Sequence, residues 1–252
     1  MTSKESATIS RPRKATRRPS ASLKTRLHQT LADTMGNEIV SGVYKPGDSL
    51  PGEIAASQNL QVSRNAYREA VRILAAKGLV ESRQKAGTLV TPRSRWNLLD
   101  PDVLHWMLGN RNAPNFIDSL LELRLIVEPA AAAMAAERRS EEDLVLIEAA
   151  LQEMREHEPD SPAGEKADEH FHAAVLNAGG NELLCRLANI ILAGVEFVAE
   201  YKRERKVDRD TWPDHKLLFD AISAKDQVGA HGAMAGLIQH ARSDLGFGEA
   251  KA

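Results

Sequence analysis

A chain of 252 residues with 42% apolar side chains can fill one large core or two modest ones. Its net charge of −2 hides an uneven distribution: residues 1–93 hold 16 Lys/Arg against 7 Asp/Glu, and residues 94–252 hold 17 against 28. A basic first part joined to an acidic second part indicates two modules, the first with an anionic partner, while the single cysteine, Cys185, excludes an intrachain disulfide framework and suits a reducing, cytoplasmic setting.

The opening stretch has no apolar core, so it is neither a secretory signal nor a membrane span. Residues 1–22, with Arg11, Arg13, Lys14, Arg17 and Arg18 broken by Pro12 and Pro19, read as a disordered basic arm that either brushes phosphates or serves as a solubilising tail. From about residue 22 to Val40, Leu23, Leu27, Leu31, Met35 and Ile39 recur every fourth residue and predict an amphipathic helix closed by Ser41-Gly42. A turn over 43–48 leads to a short second helix from Leu50-Pro51-Gly52-Glu53 to about Leu60.

The next stretch, Val62 to Gly78, organises the first module. Ser63 can cap a helix in which Ala66, Ala70, Ile73 and Leu74 form an apolar stripe, while Arg64, Arg68 and Arg72 recur at four-residue spacing. Three guanidinium groups along one short helix need either local carboxylates such as Glu69 or a polyanion, and a duplex major groove admits one helix and offers both phosphates and guanine edges. An ordinary solvated helix face is the competing reading. The surroundings weigh against it: two short helices joined by three or four residues have helix-turn-helix spacing, and Leu79 to Arg83 and Thr88 to Thr91 flank a basic tip, Gln84 to Gly87, as a hairpin. Residues 23–92 therefore read as a winged helix-turn-helix, three helices plus a β-hairpin wing.

Residues 93–110 form a linker and a short helix from Asp102 to Leu108. Trp96, Leu98 and Leu99 argue against a loose tether, because exposing them together is unfavourable, so this segment packs between or across the modules. Residues 111–248 are helical throughout: 113–138, then a helix from the Ser140/Asp143 capping box to about Glu158, one from Pro162 to before Gly179, one capped by Asn181 and running to about Arg205, one capped by Asp210 or Thr211, and a last one from about Asp226 to Leu245. Six or seven helices without a strand make an all-α bundle, and the fold class is mainly α.

In this second module Asp168 and His172 lie four apart and share one helix face, so both can reach one ion, while His215 opens a later helix. Arg124 sits in an apolar run and, if buried, needs an anion from ligand or protein. Each also has a plain structural reading: His172 as a hydrogen-bonded core residue, Asp168 as a surface group, Arg124 paired with Glu122 or Glu128. His157, His170, His231 and His240 lack a supporting pattern and are expected at the surface. Cys185 reads as a buried small hydrophobe. No phosphate loop, nucleophile elbow or adjacent Cys/His pair argues for catalysis.

The motifs Leu50-Pro51-x-Glu53, Val62-Ser63-Arg64-x-x-x-Arg68-Glu69-Ala70, Gly78-Leu79-Val80 and Gly87-Thr88-x-Val90 resemble the winged-helix domain of GntR-family bacterial transcription regulators. Glu122-Leu123-Arg124, Asp168-x-x-Phe171-His172, Asn181, His215 and the helix carrying Met234 resemble the all-helical domain of the FadR/FCD subfamily, and 96–104 resemble members that respond to sugar acids such as galactonate. The resemblance implies a homodimer that binds a palindromic operator, with Ser63, Arg64, Asn65 and Arg68 on the reading helix and Lys85, Gly87 and Thr88 on the wing at the DNA; a third arginine frequent in the family is Ile54 here. It implies an effector site of Arg124, Asp168, His172 and His215 for a small organic acid, and a divalent metal, Zn, Ni or Mn, on Asp168, His172 and His215. The position expected to supply a further histidine is Leu237, so metal binding is expected to be weakened or to depend on the acid, and His240 could approach only if its helix shifted. The function that follows is an acid-responsive repressor without enzyme activity. Its rivals are a metal-independent carboxylate sensor and a metal-dependent hydrolase or lyase with a DNA-binding arm.

Overall fold

The computed structural model describes residues 21–110, 114–207 and 209–246. The expected basic arm up to residue 20 and the segment beyond 246 lie outside them, as do the side chains of Leu23 and Leu27. The elements run α1 (Ala21–Val40), α2 (Glu53–Asn59), α3 (Arg64–Ala76), β1 (Val80–Arg83), β2 (Gly87–Val90), a 3-10 turn (Arg93–Arg95), α4 (Pro101–Gly109), α5 (Pro114–Arg138), α6 (Glu141–Glu156), α7 (Pro162–Ala178), α8 (Glu182–Arg186), α9 (Ala188–Arg205), α10 (Trp212–Ser223) and α11 (Gln227–Asp244).

The stripe expected on α1 is buried from Leu31 through Met35 to Ile39. Helix α3 begins as its sequence requires: Ser63 is extended and its hydroxyl accepts from the Ala66 N–H. Its buried face holds Ala66, Ala70 and Leu74, and also Tyr67, which the apolar stripe omitted. Tyr67 belongs inside because its hydroxyl donates to the Pro51 carbonyl at 2.5 Å, tying α3 to the start of α2. Strands β1 and β2 pair antiparallel from Val80↔Val90 to Arg83↔Gly87, with Lys85 at φ 67° and Gly87 at φ 81° turning the tip.

The linker is clamped rather than loose. The Trp96 indole donates to the Thr91 carbonyl at 3.2 Å, and the Asn97 N–H donates to the Lys77 carbonyl at 2.9 Å. Trp96 and Leu98 pack on the core, whereas Leu99 remains 57% exposed. The Lys77 ammonium bridges Asp100 at 2.6 Å and Asp102 at 2.7 Å; burial opposes its charge, but the two carboxylates outweigh that and raise its pKa. Helix α4 lies against α1 so closely that a Cβ on Gly36 would stand 2.5 Å from the Trp106 ring.

One apolar core therefore runs from α1 and α3 through Leu104, Trp106 and Met107 of α4 to Phe116, Leu120 and Leu121 of α5 and Ile191 of α9. A second fills the far end of the bundle with Ala132, Ala135 and Ala136 of α5 and residues of α6, α7, α10 and α11, such as Ile147, Phe171, Leu218 and Ile238. Helix α5 takes part in both. The single helix expected from Asn181 to Arg205 is two helices, because the hydrogen bonding tightens at Leu187, whose N–H donates to Leu184 O and whose carbonyl accepts from Ile190. This break turns Leu184 and Leu187 onto the first core. Cys185 is half-buried rather than buried, its thiol 3.7 Å from the Leu176 carbonyl. Among the described residues no helix is long and apolar enough to cross a membrane.

Candidate nucleic-acid interface and ligand cavity

The residues expected at DNA sit on adjoining elements. Ser63, Arg64, Asn65 and Arg68 are exposed on the first two turns of α3, and Lys85 and Gly87 are exposed at the wing with Thr88 half-buried behind them. A cleft of about 420 Å³ between α3, the start of α2 and the wing is lined by Glu53, Arg68, Gly87 and Thr88. Arg68 donates through Nε and Nη2 to the two Glu53 carboxylate oxygens, both at 2.9 Å. This fork holds the Glu53 carboxyl below its usual range and fixes the Arg68 guanidinium without covering its outer edge, since the side chain remains 49% exposed. Arg72 is more exposed and paired with Glu69 at 2.7 Å. Beside Glu53, Ile54 is 58% exposed on α2 and presents an apolar surface.

The second site is built inside the bundle, around a cavity of about 970 Å³ whose wall includes Arg124, Asp168, His172, His215 and Leu237. Helix α7 presents Asp168 and His172 one turn apart, and α10 brings His215 to them; one ligand atom of each lies within 4.8 Å of the others. The Asp168 Oδ1 is 2.9 Å from His215 Nε2 and 3.6 Å from His172 Nε2. Metal–donor bonds of about 2.0–2.2 Å set neighbouring donors roughly 3–3.5 Å apart, so these separations suit one shared ion. Hydrogen bonding fixes one end of the ring: His215 Nδ1, 2.8 Å from the Thr211 carbonyl, must donate to it, so Nε2, toward Asp168, is the lone-pair end whenever the ring is neutral. Asp168 Oδ1 and His215 Nε2 are buried atoms with no hydrogen-bond partner beyond this mutual approach. Burial opposes the Asp168 charge, but His215, His172 and Arg124 outweigh it and hold its carboxyl at about 2.

Behind this cluster, Arg124 and Glu128 are almost fully buried, at 2% and 1% exposure. Arg124 Nε donates to Glu128 Oε1 at 2.5 Å, and His172 Nδ1 meets Glu128 Oε2 at 2.5 Å. Burial again opposes the charge of Glu128, and Arg124 and His172 override it to bring its pKa to about 2. Across the cavity wall Gly194 of α9 makes room for the arginine, since a Cβ there would stand 3.0 Å from Arg124 Cδ.

Residues 27–90 match the family described as bacterial regulatory proteins, gntR family, and residues 119–240 match the FCD domain. The chain is 41% identical over 202 residues to the galactonate operon transcriptional repressor of Escherichia coli K12, covering 79% of this chain and 88% of that one. The chain belongs to the GntR family, FCD type. The HTH-type transcriptional regulator LutR of Bacillus subtilis 168 is 35% identical over 203 residues, covering 78% of this chain and 90% of its own. A solved Listeria monocytogenes structure, reported for Lar and its control of the agr system, shares the fold with a TM-score of 0.58 at 18% identity, covering 92% of this chain and all of that one. These families and relatives are transcriptional regulators, not enzymes, which removes the hydrolase or lyase alternative.

In this GntR/FCD regulator the structure brings together the expected Asp168, His172, His215 and Arg124 around one cavity. It does not bring His240 there: that ring is 52% exposed and 3.1 Å from Asp214, one turn beyond Leu237, which is 8% exposed in the wall. His157, His170 and His231 are exposed, as expected. Arg124 takes its plain pairing, with Glu128 rather than Glu122, while still lining the cavity. Glu128 itself was missed as a site residue. Its sequence signal was the i, i+4 spacing from Arg124 in an otherwise apolar helix, a spacing equally common in solvated ion pairs. Gly194 and the Thr211 carbonyl carry no signal of their own.

Proposed function

We propose that this regulator is a repressor of sugar-acid catabolism that grips a palindromic operator as a homodimer and releases it when a small carboxylate enters the helical cavity. In this reading residues 23–92 bind DNA: Ser63, Arg64, Asn65 and Arg68 enter the major groove, and Lys85, Gly87 and Thr88 follow the minor groove. Phosphate contacts set the affinity and its salt dependence, and the arginines discriminate bases. Residues 111–248 sense the acid and residues 93–110 connect the two. The carrying observation is the convergence of Asp168, His172 and His215 in a cavity that Arg124 also lines.

That donor set fits a divalent Zn, Ni or Mn ion, which when bound would supply a Lewis acid with positions left for a carboxylate and its neighbouring hydroxyl. Arg124 is the group for the effector carboxylate. The E. coli relative is a galactonate operon repressor, which makes galactonate the first acid to test. A metal-independent sensor has one observation in its favour, the apolar Leu237 in the cavity wall where a further ligand is expected.

Native mass spectrometry of the protein with galactonate and Zn²⁺, alongside operator-release assays, tests the proposal. The expected result is a dimer carrying both acid and metal that leaves a palindromic duplex. Acid bound without metal at saturation would favour the metal-independent sensor, and operator binding indifferent to galactonate and related hydroxy-acids would overturn the acid-release reading.

A further inference from the structure

Glu128 makes no contact with the cavity wall's open space, yet it touches two of the groups that matter there. Its carboxylate is shared edge by edge: Oε1 accepts from Arg124 Nε and Oε2 meets His172 Nδ1, each at 2.5 Å, with all three side chains no more than 2% exposed. A carboxylate offers only acceptors, so His172 must carry its proton on Nδ1 when it faces Glu128. In the neutral ring its Nε2, the nitrogen 3.6 Å from Asp168 Oδ1, is then the lone-pair end. The other histidine reaches the same state by a different route, donating from Nδ1 to the Thr211 carbonyl.

We infer that Glu128 is the positioning residue of the helical-domain site: it holds His172 in the tautomer that can ligate a cation and holds the Arg124 guanidinium by its Nε edge in the cavity wall. The inference rests on the reading of Asp168, His172 and His215 as a metal site. Outer partners of this kind fix ring orientation and typically change metal affinity by about 10–100-fold. Glutamine at 128 makes the tautomer requirement visible. Its single amide oxygen is drawn to the cationic Arg124, which turns the amide NH₂ toward His172; the ring must then accept at Nδ1 and carry its proton on Nε2, facing Asp168 and His215.

The test uses the full-length protein, Zn²⁺ affinity by competition with a chromophoric chelator, and the ¹⁵N shifts of the His172 ring. In metal-free wild type the ¹⁵N spectrum should show Nδ1 protonated. Glu128→Gln should move the proton to Nε2 and weaken Zn²⁺ binding at least about 10-fold. Because that variant leaves a buried guanidinium short of its anion, two double variants without the guanidinium form the deciding pair. Arg124→Met with Glu128→Gln frees the amide oxygen to accept from His172 and should bind Zn²⁺ at least about 10-fold more tightly than Arg124→Met with Glu128→Leu, which has no acceptor. Equal Zn²⁺ affinity in the two double variants, or an unchanged His172 tautomer in Glu128→Gln, would overturn the inference. A wild type that binds no Zn²⁺ but shows the expected tautomer change would overturn the metal reading and leave the positioning of His172 standing.

Discussion

At the scale of single residues, ion pairing distinguishes the arginines of α3. Arg68 is held in a two-point fork by Glu53, whereas Arg64 is exposed at the first turn of α3 and makes no ion pair among the described residues. Arg64 is therefore free to meet a base edge at little cost in lost pairing. Replacing it by Ala should reduce discrimination between the operator and a scrambled duplex by about 1–3 kcal/mol, as the loss of one bidentate contact would. Competition binding at fixed salt checks this, and an unchanged preference would remove Arg64 from base reading. In the cavity, His215 is 2% exposed and directs Nε2 at Asp168. A ligand at about 100 times its dissociation constant stabilises a protein by about 2.7 kcal/mol. Zn²⁺ should raise the melting temperature of the wild type accordingly and leave His215→Ala unmoved; an equal rise in both would place the ion elsewhere.

At the scale of elements, two contacts anchor α3. Gly78 ends α3 at φ 79°, and a Cβ there would stand 2.2 Å from the Arg95 carbonyl oxygen. Backbone cannot yield as a flexible side chain can, so Gly78→Ala combines left-handed strain with a clash and should destabilise the fold by more than about 1 kcal/mol in urea denaturation. The other anchor is Tyr67, whose burial raises its hydroxyl pKa to about 12 from an ordinary 10. An unfolded tyrosine ionises near 10, so its contribution to stability is complete below that pH and is lost as the pH rises from about 10 to about 12. Tyr67→Phe should flatten this part of the stability–pH curve, measured by denaturant melts at stepped pH; an identical slope would assign it to other groups.

For the whole molecule, the first core joins the winged-helix elements to the helical bundle. Leu104, Trp106 and Met107 of α4 lie in the same apolar cluster as α1 and α3 on one side and α5 and α9 on the other, and Lys77 pins the end of α3 to the start of α4. The DNA-reading module therefore has no separate core in which to unfold independently. Tryptophan fluorescence of a Trp212→Phe variant, reporting Trp96 and Trp106 at this junction, should follow the same thermal transition as far-UV circular dichroism. Two resolved transitions would show that the modules melt apart.

Much of this was legible in the residues themselves because it depends on local rules. The fourfold spacing on α1 from Leu31 to Ile39, the Ser63 cap, the Ser140/Asp143 capping box and the hairpin tip follow from backbone periodicity and short-range hydrogen bonding, and each appears where the sequence places it. The i, i+4 pair Asp168 and His172 was likewise visible, because one helix carries both. What the chain order leaves open is which distant groups meet. Only packing brings His215 of α10 to α7, sets Glu128 between Arg124 and His172, buries Tyr67 against Pro51 and seats Trp106 on Gly36. Those contacts join residues far apart in sequence, and their energies depend on burial, which no local pattern determines.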